Sequence, residues 1–85
     1  MATQYIASRQ KQIEALLDRA LTCYSDWRER EDAVADAYGQ WSAALDSSEE
    51  ALRFCTYIAA LDQEAAATAV YADSIRELDR LIQRA

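Results

Sequence analysis

The chain has 85 residues, with one Gly, no Pro and no His, and its formal net charge is −6. So little Gly and Pro leaves few means of building tight turns or a loop-built site, and the many Ala, Leu, Glu, Gln and Arg residues favour helix. The acidic balance disfavours binding to nucleic acid or to an anionic membrane, since both need clustered Lys and Arg. The composition therefore predicts a single all-α domain over residues 1–85.

The sequence indicates neither a signal peptide nor a membrane-spanning segment. Residues 1–12 lack a continuous apolar core, and Arg9 and Lys11 follow the apolar residues instead of preceding them. No run approaches the roughly 18–20 apolar residues of a transmembrane helix. We therefore expect a cytoplasmic protein, with leaderless export left open.

A seven-residue repeat runs through the first half of the chain, from Ile6 to Leu45. We call the line along which the predicted helix would contact another helix its seam, and two series of residues form it. One series is Ile6, Ile13, Ala20, Trp27, Val34 and Trp41, and the other is Gln10, Leu17, Tyr24, Glu31, Tyr38 and Leu45. This repeat predicts one long helix over about 3–45 with a coiled-coil-like seam. The alternative is a break near Ser25, which would give a three-helix bundle.

A helix-start signal lies near the middle of the chain. Ser47 with Glu50 three positions later has the form of a capping box, and Asp46 and Glu49 add negative charge at the positive end of the new helix. The sequence therefore predicts a turn at 46–48 and a second helix over about 48–84. Folding at this turn gives an antiparallel hairpin in which the numbers of facing residues sum to about 93 or 94.

The second helix carries more apolar residues than one seam needs. Its predicted seam is Phe54, Ile58, Leu61, Ala65, Thr68, Ala72, Ile75 and Ile82. Other apolar residues form a second stripe that faces away from the seam: Leu16, Leu21, Tyr57, Tyr71 and Leu81. Because a domain this short is marginal when each helix buries one face, we expect two hairpins to pair as a homodimeric four-helix bundle. The alternative is that this stripe binds a different protein.

The charge is divided unevenly along the predicted hairpin. Residues 26–64 have a balance of −7, whereas residues 1–20 and residues 76–85 each have a balance of +1. The half near the turn is therefore acidic and the open end is mildly basic. An antiparallel dimer would bring these unlike ends together, which favours it over a parallel one.

The sequence offers little catalytic or metal-binding chemistry. Glu31 faces Asp62 in the predicted register, and a paired-carboxylate or carboxylate-bridged metal site is one reading. The other, which we favour, is that Glu31 pairs with Arg28 or Arg30. Without His, a Cys–His zinc site or catalytic pair is excluded. The two cysteines, at positions 23 and 55, lie too far apart along the hairpin for a disulfide, and we read both as reduced thiols. We expect no enzyme, no cofactor and no metal.

The most informative interpretation is a non-enzymatic protein-interaction module, a small acidic adaptor or inhibitor of bacterial or phage type. The alternative within non-enzymatic proteins is a structural subunit of a larger assembly. The candidate partner-binding residues are a tryptophan near the turn, the turn acids and three residues of the second stripe: Trp41, Asp46, Glu49, Glu50, Tyr57, Tyr71 and Leu81.

Trp41-Ser42-Ala43 near the bend of a short helical hairpin resembles the Trp-x-Gly proteins exported by type VII secretion. The resemblance implies a dimer of hairpins and export without a signal peptide. The chain departs from the family at Ala43, which stands where the motif has Gly. It also lacks the family's Tyr followed four residues later by an acid, since Tyr71 is followed by Ile75.

Overall fold

The chain forms two long helices that fold back on each other as an antiparallel hairpin. The computed structural model describes residues 2–84, with side chains from residue 6 onward. Helix α1 runs over Ala2–Ser42 and helix α2 over Ser47–Gln83, and residues 43–46 connect them. The described residues include no strand. The predicted all-α hairpin is therefore confirmed.

Helix α1 is continuous through Ser25, so the alternative with a break at this residue is wrong. Ser25 lies on the exposed outer side of the helix. A polar side chain there remains in water and costs only its modest helix propensity. Without Gly or Pro nearby, nothing interrupts the backbone hydrogen bonds at this point.

The turn is capped one residue earlier than predicted. Asp46, rather than Ser47, is the N-cap of α2, with extended backbone angles φ −141° and ψ 170°. Its Oδ1 accepts the N–H of Glu49 at 2.8 Å, and Glu49 Oε2 accepts the N–H of Leu45 at 3.1 Å. A carboxylate is a stronger acceptor than a hydroxyl, which explains why Asp46 displaces Ser47 from the capping position. The predicted box of Ser47 and Glu50 is replaced by this pair of carboxylates.

The predicted register of the hairpin is confirmed by hydrogen bonds between the helices. Arg30 Nη1 donates to Gln63 Oε1 at 2.8 Å, and Arg53 Nη1 donates to the carbonyl oxygen of Gln40 at 2.7 Å. The residue numbers of both pairs sum to 93. Nearer the open end, Arg19 and Glu77 form an ion pair at 2.6 Å. These bonds fix the level at which each residue of α1 faces α2.

The hairpin is an elongated rod with very little interior. Its Cα atoms extend over 70 × 14 × 12 Å, and its accessible surface is 6427 Å². A compact monomer of 9.6 kDa has an accessible surface of about 5,100 Å². Among the described residues, the buried side chains are all small: Ala20, Ala37, Ala67 and Ser74. Neither helix, as far as it is described, contains a stretch that is apolar enough to cross a lipid bilayer.

Candidate interaction surface

Burial in both helices repeats every seven residues and marks the seam between them. In α1 the less exposed positions are Arg9, Ile13, Leu16, Ala20, Cys23, Trp27, Val34, Ala37 and Trp41, and Ala44 of the connection continues the series. In α2 they include Arg53, Tyr57, Ala60, Glu64, Ala67, Tyr71, Ser74, Leu78 and Leu81. One side of the seam is lined by small residues and the other by aromatic ones. The small side lets the helices approach, and the aromatic side fills the remaining space.

The second predicted seam series of α1 is wrong by one residue. Its members from Leu17 to Leu45 are exposed, with Tyr38 at 53% and Leu45 at 91%. The preceding residues occupy the seam instead, such as Cys23 in place of Tyr24. On a helix, residues three and four positions after a seam residue lie on either side of the contact line. In the pairs Cys23–Tyr24, Ala37–Tyr38 and Ala44–Leu45, the smaller residue lies in the seam and the larger one lies outside it.

The two stripes of α2 are exchanged relative to the prediction. Phe54, Ile58, Ile75 and Ile82 were expected in the seam and are exposed. The seam is formed instead by Tyr57, Tyr71 and Leu81, which were expected outside it, together with Leu78. Leu16 of α1 also lies in the seam, whereas its predicted stripe neighbour Leu21 is exposed. Apolar residues cover so much of α2 that the spacing alone fits either orientation, and stacking against the tryptophans of α1 decides between them.

An aromatic cluster joins the helices in the middle of the hairpin. The rings of Trp27 and Tyr71 are stacked, with centroids 6.0 Å apart and planes at 15°. Tyr24 contacts both rings, at 5.8 Å and 5.6 Å between centroids. Trp27 Nε1 donates to Glu64 Oε1 at 2.9 Å, and this oxygen also accepts from Thr68 Oγ1 at 3.0 Å. The part-buried indole N–H of Trp27 thus has a partner on α2, while Tyr24 remains 44% exposed.

A second aromatic cluster lies next to the turn. Trp41 stacks on Tyr57, with centroids 5.4 Å apart and planes at 18°, and contacts Phe54 at 5.0 Å. Tyr38 meets the rings of Trp41 and Tyr57 edge-on. The two clusters repeat the same arrangement about two helical heptads apart. In each one, an exposed tyrosine of α1 flanks a stacked pair.

The exposed members of these clusters belong to an apolar face that runs along one broad side of the hairpin. Helix α1 contributes Leu17, Leu21, Tyr24 and Tyr38, and α2 contributes Phe54, Ile58, Ile75 and Ile82 together with the half-buried Leu61. Exposure reaches 59% at Leu21 and 51% at Ile82. The opposite side carries the polar bonds between the helices, including Arg19–Glu77 and Arg30–Gln63. The hairpin is therefore amphipathic in cross-section.

One ion pair interrupts the apolar face near its middle. Arg28 Nη1 donates to Glu31 Oε2 at 3.2 Å, and about half of each side chain is exposed. The predicted pairing of Glu31 with an arginine is confirmed, while Asp62 lies exposed and apart from it. The pair divides the face into a turn-half patch (Tyr38, Phe54, Ile58, Leu61) and an open-end patch (Leu17, Leu21, Tyr24, Ile75, Ile82).

The structure brings only some of the predicted binding residues together. Trp41 and Tyr57 share the cluster near the turn, and Glu50 lines a shallow groove beside Trp41. Asp46 and Glu49 serve the turn itself: Asp46 caps α2, and Glu49 pairs with Arg53. Tyr71 and Leu81 lie farther toward the open end, where Arg9 Nη2 donates to the carbonyl oxygen of Leu81 at 3.2 Å.

In residues 2–84, no group of three Cys, Asp or Glu side chains is placed to hold a metal ion. Cys23 and Cys55 are both free thiols. A groove of about 400 Å³ at the open end is lined by Leu16, Arg80 and Leu81 and by Glu77, whose carboxylate pairs with Arg19.

The hairpin form and the place of Trp41 in the last turn of α1 agree with the architecture that the Trp-x-Gly resemblance implies. The departure at Ala43 remains. The chain matches no protein-family model, and no curated protein or solved structure is significantly similar to it.

Proposed function

We propose that this chain is a non-enzymatic protein-interaction module that binds other helices through its apolar face. The observation that supports the proposal is the exposure of leucine, isoleucine, tyrosine and phenylalanine along one side of a 70 Å hairpin, in two patches separated by the Arg28–Glu31 pair. Soluble monomers rarely expose an apolar strip of this extent, and where they do it marks a binding surface. An adaptor or an inhibitor would use the face in the same way.

The energetics favour helices as the binding partners. Burying a large apolar side chain completely contributes about 1.5–3 kcal/mol, and Leu21, Tyr38 and Ile58 keep 59%, 53% and 40% of their surface in water. Two adjacent helices present a shallow groove between their apolar ridges. Further amphipathic helices laid along that groove complete a bundle and remove these side chains from water.

The apolar face is a better candidate than the acidic turn. Asp46 already accepts the N–H of Glu49, and Glu49 accepts the N–H of Leu45 and pairs with Arg53. A partner that recruited these carboxylates would compete with the bonds that hold the turn. The side chains of Leu21 and Ile58 form no hydrogen bond or ion pair within the hairpin, so a partner that binds them breaks none.

The proposal can be tested by site-specific photocrosslinking in cells that produce the protein. A benzophenone amino acid replaces either Ile58, on the apolar face, or Leu52, which is apolar and 72% exposed but lies outside that face. We expect a discrete protein adduct from position 58 and much less from position 52, because only the former is within reach of a bound helix. Equal adducts from both positions, or none from position 58, would contradict the proposed function.

A further inference from the structure

The apolar face has a pattern that is complementary to itself. Along α1 its order is Leu21, Arg28, Glu31 and Tyr38. At about 1.5 Å per residue, Leu21 lies about 10 Å from Arg28 toward the open end, and Tyr38 lies about 10 Å from Glu31 toward the turn. The order is thus large apolar, basic, acidic, large apolar, with equal outer spacings. Reversing the helix places base opposite acid and apolar opposite apolar.

We infer that the partner on the apolar face is a second copy of this chain, bound antiparallel and face to face about a two-fold axis between Arg28 and Glu31. The inference rests on the proposed function, since it names the occupant of the same face. In this dimer α1 lies along α1 of the second copy. Arg28 then meets Glu31 of the second copy, and Leu21 meets Tyr38 of the second copy, because both pairs are centred on the same point of the helix.

The same axis also matches the apolar residues of α2. The observed register places the centre of the Arg28–Glu31 segment level with Glu64. Rotation about that level brings Phe54 to within about two residues of Ile75 of the second copy, and Leu61 to within about two residues of Thr68 of the second copy. The turn-half patch of each hairpin therefore covers the open-end patch of the other.

Charge and area agree with this arrangement. Residues 26–64 have a balance of −7 and residues 1–20 a balance of +1, so the antiparallel dimer separates the two acidic halves. One broad side of the hairpin measures 70 by 14 Å, or about 1,000 Å². Standard stable interfaces take about 800 Å² from each partner, so the side of the hairpin that carries the apolar face has room for a stable dimer interface.

A parallel dimer fits the same face less well. Its two-fold axis runs along the hairpin, so α1 would lie against α2 of the second copy at the same level. Arg28 would then face Ala65 of the second copy and Glu31 would lie beside Leu61 of the second copy, and neither apolar residue offers a counter-charge. Covering the ion pair with apolar residues removes its hydrating water, and no new electrostatic interaction offsets that free-energy cost. The antiparallel dimer instead joins the two Arg28–Glu31 pairs into one network of charges.

The test combines molar mass with exchange of these charges. Light scattering on a sizing column gives the mass of the wild type, Arg28→Glu, Glu31→Arg and an equimolar mixture of the two variants. We expect a wild-type dimer of twice 9.6 kDa. Each variant alone should dimerise at least about 100-fold more weakly, since like charges then meet across the axis. The mixture should restore the dimer, because one chain then brings two acids to the axis and the other brings two bases.

A matched control is available on the outer side of α2. Asp73 and Arg76 form an exposed pair of the same spacing away from the apolar face, and Asp73→Arg and Arg76→Glu should leave the dimer intact. Circular dichroism checks that every variant stays helical. A folded wild-type monomer from nanomolar to high micromolar concentration would overturn the second-copy inference, while a crosslink from position 58 to another protein would keep the proposed function. A dimer that the mixture does not restore would overturn the antiparallel register.

Discussion

Asp46 is the residue on which the turn depends most directly. Its carboxylate satisfies the N–H of Glu49, one of the first-turn donors of α2 that has no partner within the helix. We predict that Asp46→Ala lowers the free energy of unfolding by about 1 kcal/mol, the usual cost of removing an N-cap side chain. Urea unfolding followed by circular dichroism, at one fixed protein concentration, measures the change.

Ser47→Ala is the matched control for this prediction. Ser47 is the first residue of α2 and its side chain is exposed, so its removal should change the free energy of unfolding by no more than about 0.5 kcal/mol. If Ser47→Ala cost more than Asp46→Ala, the capping role would belong to Ser47, as the sequence pattern indicates.

The turn could be predicted from the sequence to within one residue, but its cap could not. Asp46, Ser47 and Ser48 are consecutive, and each is a good N-cap residue. Because both Glu49 and Glu50 are acidic, the capping-box spacing fits Asp46 with Glu49 as well as Ser47 with Glu50. The choice depends on Arg53, which holds Glu49 in the position from which it reaches Leu45. That contact is set by the fold of the turn and is not visible in the spacing.

At the scale of the element, the seam depends on small side chains that allow the helices to approach. Ala67 is 7% exposed, whereas Ala69, two residues later, is exposed on the outer side of α2. We predict that Ala67→Leu lowers the free energy of unfolding by about 1–3 kcal/mol, because the larger side chain forces the helices apart. Ala69→Leu should change it by less than about 0.5 kcal/mol. Equal effects of the two substitutions in urea unfolding would place the seam elsewhere.

Both helices could be predicted from the sequence, and so could the level at which they face each other. Which face of each helix turns inward could not. In α1 the pairs Cys23–Tyr24 and Ala37–Tyr38 offer two inward-facing residues one position apart. A hydrophobicity pattern ranks the tyrosine at least equal to its small neighbour, whereas close packing against α2 admits only the smaller one. A size criterion that turns the smaller residue of each of these pairs inward would have found the exposed face of α1.

At the scale of the whole molecule, the stability of the hairpin and its association are one question. The described residues bury no large side chain completely, and an isolated pair of helices leaves Leu21, Tyr38 and Ile58 largely in water. A single domain of this size buries so little apolar surface that its stability is marginal. The sequence already predicted that two helices cannot bury all their apolar residues. In the structure the residues that stay exposed are those of the apolar face, whereas Tyr57, Tyr71 and Leu81, which were expected to be exposed, lie in the seam.

If the apolar face binds a second copy, unfolding must depend on protein concentration. A dimer that unfolds to two separate chains gains about 1.4 kcal/mol of apparent stability for each tenfold rise in concentration. We therefore predict that the thermal midpoint of the wild type rises steadily over a hundredfold range of concentration, measured by circular dichroism. Arg28→Glu, which weakens the dimer, should begin lower and change little over the same range. A wild-type midpoint that does not move with concentration would mean that the hairpin is stable alone, and that its apolar face is free for a different protein.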